Sequence, residues 1–271
     1  MITQVDFVKM VASGNDFVVA QLPSYPLSQL RLAAQKICNR KYGVGGDGFL
    51  VLEKSVKADI RMRIFNPDGT EAEMCGNGAR CAALFISTER KVHDLNLETK
   101  AGIIESQVES DNIRIKLTDP KDIKLDIPVK VNDRSIMVNF INTGVPHAVI
   151  FVDGIDNIDI VPLGRQVRRH KQFAPAGTNV NFVEIWDEKK IQLRTYERGV
   201  EDETLACGTG TVASGIISAL KMDLKETDHC INALTRSGET LKVYFDKKGN
   251  DFSNIWLAGK ARSVFKSTIA L

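Results

Sequence analysis

A chain of 271 residues is long enough for one large domain or two medium ones, each with its own core. Hydrophobic residues at 43% and charged residues at 26% are ordinary for a globular protein in water. A net charge of +2, with no long block of one sign, excludes a dedicated nucleic-acid or acidic-membrane surface. The longest apolar runs, such as HAVIFV, are too short to span a bilayer, so no membrane partner is expected. The opening MITQVDFVKM lacks the basic and apolar regions of a signal peptide, and the five cysteines (Cys38, Cys75, Cys81, Cys207 and Cys230) are an odd number that argues against a disulfide framework. A cytoplasmic protein is expected.

In chain order, a strand-like run leads to Gly14-Asn15-Asp16-Phe17-Val18-Val19, and LSQLRLAAQKICNRK predicts a helix over 27–41. The stretch Gly43-Val44-Gly45-Gly46-Asp47-Gly48 formally fits GxGxxG. It follows a helix and precedes a strand, the reverse of a dinucleotide-binding loop, and so reads as a glycine-rich turn entering a strand. RMRIFN (61–66) alternates as a strand does. MCGNGARC (74–81) opens ARCAALFISTERK (79–91), which is apolar on most faces, as a buried central helix would be. After the strand-like IRIKLT (113–118), DPKDIKLDIP (119–128) is rich in Asp, Lys and Pro and reads as the crossing between domains.

The plan then recurs. Gly144-Val145-Pro146-His147-Ala148-Val149 follows the first glycine patch by about 130 residues. Gly177-Thr178-Asn179-Val180-Asn181-Phe182-Val183 stands 132 residues after Gly45, and Cys207-Gly208-Thr209-Gly210 stands 132 after Cys75-Gly76-Asn77-Gly78. IQLRTYE (191–197) and TLKVYF (240–245) are strand-like, TVASGIISALKMD (211–223) is a second buried helix, and ARSVFKSTIAL is a last strand that can return to the first domain. Three matches in one order at nearly one spacing point to a duplicated domain. The predicted fold class is α+β, with two pseudo-symmetric domains. Each is a curved, mostly antiparallel sheet or barrel around a central helix, with the active site in the cleft between them. The predicted boundaries are 1–119, with 262–271 returning to it, and 120–261.

The Cys-Gly motifs carry the chemistry. A metal site is not expected: the spacing is Cys-x5-Cys, the second copy has a single cysteine, and His93, His147, His170 and His229 form no pair. Cys38, Cys81 and Cys230 read as packing residues. Cys75 and Cys207 each precede a Gly-x-Gly turn and a helix. A helix start offers unpaired N–H groups and partial positive charge, which favour a thiolate and can hold a carboxylate, while glycines let a ligand approach the backbone. Such a pair is one solution for an amino-acid racemase, which removes a proton from one face of Cα and returns one to the other. One sulfur must be thiolate while the other is thiol, so the pair titrates as a unit. This scheme requires no cofactor.

MCGNGARC and ACGTGTVA, with SGNDF (13–17), FNPDG (65–69), PAGTNVNF (175–182) and YERGVEDET (196–204), resemble the diaminopimelate epimerase family, in family order and over most of the chain. The resemblance implies interconversion of LL- and meso-2,6-diaminopimelate for lysine and peptidoglycan synthesis by a cofactor-free enzyme that is commonly a homodimer. It implies Cys75 and Cys207 as acid and base, and backbone groups of Gly76-Asn77 and Gly208-Thr209 on the reacting carboxylate. Asn15, Asn66, Asn179, Glu197 and Arg198 are then the residues that grip the rest of the substrate. Arg198 suits the distal carboxylate and Glu197 an ammonium. His147 is expected near the edge of the second half's cleft, in a supporting role. The chain departs from the family pattern at Val145, where many members have Asn, at Gly48, where some have Gln, and in a loop one residue longer after Arg198. The nearest rival is a proline or hydroxyproline racemase, which usually carries histidine where Asn77 stands and has no use for Arg198. A phenazine-type isomerase lacks the cysteines. A thiol redox protein would need a Cys75–Cys207 disulfide, and a non-catalytic amino-acid-binding protein is the remaining alternative.

Overall fold

The structure, a computed structural model, describes residues 2–132, 134–227 and 229–271. Along the chain run β1 (Gln4–Ala12), β2 (Asn15–Gln21), α1 (Leu27–Ile37), β3 (Gly48–Glu53), β4 (Ile60–Phe65), β5 (Glu71–Ala72), α2 (Gly76–Arg90), β6 (Asp94–Thr99), β7 (Gly102–Glu109) and β8 (Asn112–Lys116). There follow β9 (Lys121–Val131), β10 (Arg134–Asn142), β11 (Pro146–Phe151), α3 (Ile160–Arg168), β12 (Asn179–Asp187), β13 (Lys190–Glu197), β14 (Asp202–Thr204), α4 (Gly208–Lys221), β15 (Cys230–Leu234), β16 (Thr240–Lys248), β17 (Asp251–Lys260) and β18 (Arg262–Ala270). The architecture is α+β. Two compact units divide it: one takes the chain up to Lys116 together with Gly259–Leu271, the other Leu117–Ala258. Among the described residues no helix is long and apolar enough to cross a membrane.

In the first unit the strands pair in the order β18-β1-β2-β3-β4-β6-β7-β8, with β5 laid along the end of β4. In the second the order is β9-β10-β11-β12-β13-β15-β16-β17, with β14 along β13. Each order contains two parallel pairs, β2–β3 and β4–β6 in one, β11–β12 and β13–β15 in the other, and the remaining pairs are antiparallel. Pairing sense thus matches position by position between the units.

The strands next to the helices are buried on both faces, so they read as continuous apolar runs rather than as alternation. Val18, Ala20, Phe49, Val51 and Phe65 join Leu30, Ala33, Ala34 and Ile37 of α1 in one core cluster. Ala148, Ile150, Val180, Phe182 and Tyr196 join Ile160 and Val167 of α3 in another. The other face of each sheet receives the Cys-Gly helix. In α2 every residue from Asn77 to Ala83 is buried, and in α4 every residue from Gly210 to Ala219. α2 packs on strands from β18 and β1 round to β8, and α4 on β10 to β13, β15 and β16. Each sheet therefore curls about its helix, as the apolar girth of the two helices predicts.

Two stretches differ from the sequence reading. The first helix stops at Ile37, because Asn39 Oδ1 accepts the N–H groups of Lys41 and Tyr42 at 2.9 Å each and turns the chain. Gly43, Gly45 and Gly46 then fold back onto the carbonyls of Asn39, Ile37 and Cys38, and the turn enters β3 as expected. A Cβ at Gly43 would press into the Lys36 and Ile37 carbonyls, so only glycine fits. The stretch 119–128, expected as a crossing, is mostly the long strand β9, paired with β10. Its side chains are largely exposed, and Asp122 and Asp126 sit at positive φ (56° and 53°), which gives it the composition of a linker.

Candidate active site

Cys75 and Cys207 occupy the same local position. Each is the extended residue before its helix, with φ/ψ of −146°/120° for Cys75 and −117°/114° for Cys207. The Cys75 carbonyl accepts the Ala79 N–H at 2.8 Å, and the Cys207 carbonyl accepts the Thr211 N–H at 2.8 Å. The N–H groups of the first turn have no acceptor within the helix and carry the positive end of its dipole. The last residue of each Cys-Gly-x-Gly motif sits close against its neighbours. A Cβ at Gly78 would lie 3.2 Å from Leu50 Cδ2, and one at Gly210 would press into Asn181 Oδ1 and approach Cys207 Sγ to 3.3 Å. Cys75 is half-buried and Cys207 buried. Cys81 and Cys38 are buried in the cores, and burial pushes the Cys38 thiol up to about 12, as befits packing residues. Burial also raises the half-buried Cys230.

In the first unit the motif rests on a chain of amides. Arg80, fully buried on α2, donates to Asn77 Oδ1 at 2.8 Å and to Ser13 Oγ at 2.9 Å. Asn77 Nδ2 donates to Asn15 Oδ1 at 2.6 Å, and Asn15 Nδ2 to Asp47 Oδ2 at 2.9 Å. Arg40 joins Asp47 to Asp16, and Lys9 reaches both Asp16 (2.6 Å) and the Gly45 carbonyl. Burial pushes the Asp16 carboxyl up, but the hydrogen bonds from Arg40 and Lys9 outweigh it and hold the group well below the usual carboxylate range. The Asn77 side chain thus faces the interior. Asn66 lies apart from this chain, in the exposed turn after β4, where its Nδ2 donates to Thr70 Oγ1 at 2.9 Å.

In the second unit the support comes from the sheet. His147 is fully buried under the start of α4. Its Nε2 lies 3.0 Å from Thr209 Oγ1, which in turn lies 3.5 Å from Cys207 Sγ. Its Nδ1 is 3.1 Å from Asn181 Nδ2, and Thr195 Oγ1 donates to Asn181 Oδ1 at 3.0 Å. Burial, assisted by the Arg198 charge, drives the imidazole down to about 3, so the ring is neutral at physiological pH. Thr143 Oγ1 donates to the Thr209 carbonyl at 3.1 Å.

Asn179 holds the Arg198 turn. Its Oδ1 accepts the Arg198 N–H at 2.9 Å and its Nδ2 donates to the Pro146 carbonyl at 3.1 Å. Arg198 Nη1 donates to the Ala176 carbonyl at 3.1 Å. Burial raises the pKa of the Glu197 carboxyl. Glu201 gathers the loop, accepting from Arg168 Nε at 3.0 Å, Tyr196 Oη at 3.2 Å and the Gly199 N–H at 3.2 Å. Val145 places an apolar side chain where the first unit has Asn15, so the second unit has no counterpart to the Asn15–Asn77 bond.

The structure thus gathers Asn15 and Asn77 around Cys75, and His147 and Thr209 around Cys207, with Asn179 beside Arg198. Sequence reasoning missed Ser13, Arg80, Asn181 and Thr195. Asn181 carried a signal, since it stands two residues after Asn179 on the same strand and so on the same face. It also missed Glu71 and Glu203, each four residues before a motif cysteine. These clamp the short strands β5 and β14 to Arg63 and Arg194 at 2.7 Å.

Comparison with known proteins agrees with this geometry. The diaminopimelate epimerase family model matches residues 7–122 and 139–263, which takes in both Cys-Gly motifs. Diaminopimelate epimerase of Aquifex aeolicus is 39% identical over 98% of each chain. Among solved structures, a Bacillus anthracis phenazine biosynthesis protein of the PhzF family has a TM-score of 0.76 at 21% identity, covering 99% of each chain. A hydroxyproline epimerase from Agrobacterium vitis has a TM-score of 0.70 at 16% identity over 99% of this chain and 93% of its own. The solved structures share the fold alone. The family model spans both halves and the Aquifex relative aligns end to end, so this chain belongs to the diaminopimelate epimerase family.

Proposed function

We propose that the protein interconverts LL- and meso-2,6-diaminopimelate by proton transfer at Cα, with Cys75 and Cys207 as the acid/base pair. The observation that carries the reading is that the chain builds one Cys-capped helix start twice, on the same strand framework. Family membership supplies the substrate. In the reaction one sulfur, as thiolate, removes the Cα proton, and the other, as thiol, delivers its proton to the opposite face. The Cα configuration inverts and the two sulfurs exchange protonation states. The N–H groups of Gly76, Asn77, Gly208 and Thr209 receive the carboxylate next to the reacting carbon, where negative charge builds up. Arg198 binds the distal carboxylate bidentately, Glu197 takes an ammonium, and Asn15, Asn66 and Asn179 complete the polar contacts, with His147 acting through Thr209. The scheme runs without a cofactor. We further propose that each half, 1–119 with 262–271 and 120–261, is one epimerase half, that the enzyme works in the cytoplasm, and that it is a homodimer, as the family resemblance implies.

The test is hydrogen exchange. Under reducing conditions, without added cofactor, LL-diaminopimelate in deuterated water should gain deuterium at Cα and yield the meso isomer, while L-proline alongside is left unlabelled. Labelling of proline alone would favour a racemase of the hydroxyproline type, and labelling of neither would remove the epimerase reading.

A further inference from the structure

The second half contains a hydrogen-bond chain whose direction is set at a residue outside the proposed contacts with substrate. Asn181 is fully buried on β12, next to β11 and β13. Its Nδ2 lies 3.1 Å from the Ala148 carbonyl oxygen. A carbonyl only accepts, so the amide nitrogen must face it, and a flipped amide would set two oxygens against each other. The second Nδ2 hydrogen then points to His147 Nδ1, 3.1 Å away, which must be the unprotonated nitrogen of a neutral ring. The single ring proton sits on Nε2 and is donated to Thr209 Oγ1 at 3.0 Å. Having accepted that bond, the Thr209 hydroxyl is left to donate its own hydrogen to Cys207 Sγ at 3.5 Å. Thr195 completes the arrangement by donating to Asn181 Oδ1 at 3.0 Å, and the bare Gly210 leaves room for that oxygen beneath the helix start.

We infer that Asn181 is a positioning residue: it fixes the Nε2-protonated tautomer of His147, so that the Thr209 hydroxyl donates to Cys207 and stabilises its thiolate. The catalytic meaning of this rests on the proposed role of Cys207, but the chain itself is a property of the second half and can be read without substrate. The ring stays neutral because it is buried and because Arg198 is the charged group acting on it.

Two measurements on the full-length protein test it. The first is the nitrogen NMR spectrum of ¹⁵N-histidine-labelled wild type. It should show His147 with an unprotonated Nδ1 and a protonated Nε2, unchanged between pH 6 and pH 9, and a ring protonated at Nδ1 would overturn the inference without any variant. The second is the pH profile of Cys207 alkylation by iodoacetamide, read peptide by peptide in a Cys75→Ser background. Loss of a hydroxyl donor to the thiolate should raise the midpoint by about one pH unit in Thr209→Val and in Asn181→Leu, while Thr209→Ser restores it. If folded Thr209→Val keeps the wild-type midpoint, the hydroxyl does not serve Cys207 and the inference fails. Neither readout uses diaminopimelate, so an inactive protein with the expected spectrum would sink the proposed function and leave this chain standing.

Discussion

Under α2 the sheet presents Phe17, Leu50 and Ile64, whereas under α4 the equivalent strand positions carry His147, Asn181 and Thr195. The equivalence comes from register: Val19 faces Leu50, which faces Ile64, and Val149 faces Asn181, which faces Thr195. The helices reverse the contrast. Arg80 of α2 is a buried cation, while the residue 132 positions later, Val212, is a buried aliphatic. One half supports its motif with a charge from the helix and an amide from the start of β2, the other with neutral groups from the strands. Both chains of hydrogen bonds run through the second residue after the cysteine, Asn77 or Thr209. A buried polar group must find partners, and the two halves supply them from sets that do not resemble each other. The duplicated backbone carries one geometry and two electrostatic surroundings. That suits a reaction in which one sulfur is thiolate while its proposed partner is thiol.

The largest effect tests whether the halves are equal in chemistry despite unequal support. Cys75→Ala and Cys207→Ala should each lower turnover by about 10²–10⁴-fold, the worth of a positioned acid or base, in an assay that follows meso-diaminopimelate. A variant retaining near-wild-type turnover would break the comparison. Next is a residue with no charged counterpart in the first half. Arg198→Ala should lower kcat/KM for diaminopimelate by the roughly 2–5 kcal/mol of a buried charged contact, leaving the melting temperature nearly unchanged.

Arg80→Met sharpens the contrast between the two supports. It strips Asn77 Oδ1 and Ser13 Oγ of a donor and should cost about 1–3 kcal/mol in urea denaturation. It should also alter Cys75 alkylation while leaving Cys207 alkylation as it was. The smallest effect concerns the Asp16 cluster. The Asp16 carboxyl is depressed in the folded state, so its stabilisation is present above the unfolded carboxylate pKa near 4 and is lost as pH falls through the lowered folded value. Asp16→Asn should therefore lower stability at pH 7 and flatten its acid dependence between pH 5 and pH 2 in urea titrations.

Much of this was legible in the sequence because glycine and cysteine constrain the backbone locally. The repeated Cys-Gly-x-Gly marked both helix starts, and the spacing of three motifs marked the duplication. The spacing misleads by one residue within the strands, since the register aligns Leu50 with Asn181, 131 positions apart, and Phe49 faces α1. Strand β9 was hidden by its exposure, because a strand with few buried side chains has no apolar pattern to read. Arg80 and Asn181 were hidden for the opposite reason. Their meaning lies in partners 67 and 34 residues distant, Ser13 and His147, which only the packed sheet brings to them.

The claim that two thiols serve opposite faces of one carbon is tested most directly by where deuterium appears first. LL-diaminopimelate is incubated with the wild-type enzyme in deuterated water and sampled at low conversion. Two opposed thiols should give meso product deuterated at the inverted carbon, while the remaining LL substrate carries almost none. Product that retains its original hydrogen, or substrate labelled as fast as product forms, would contradict it.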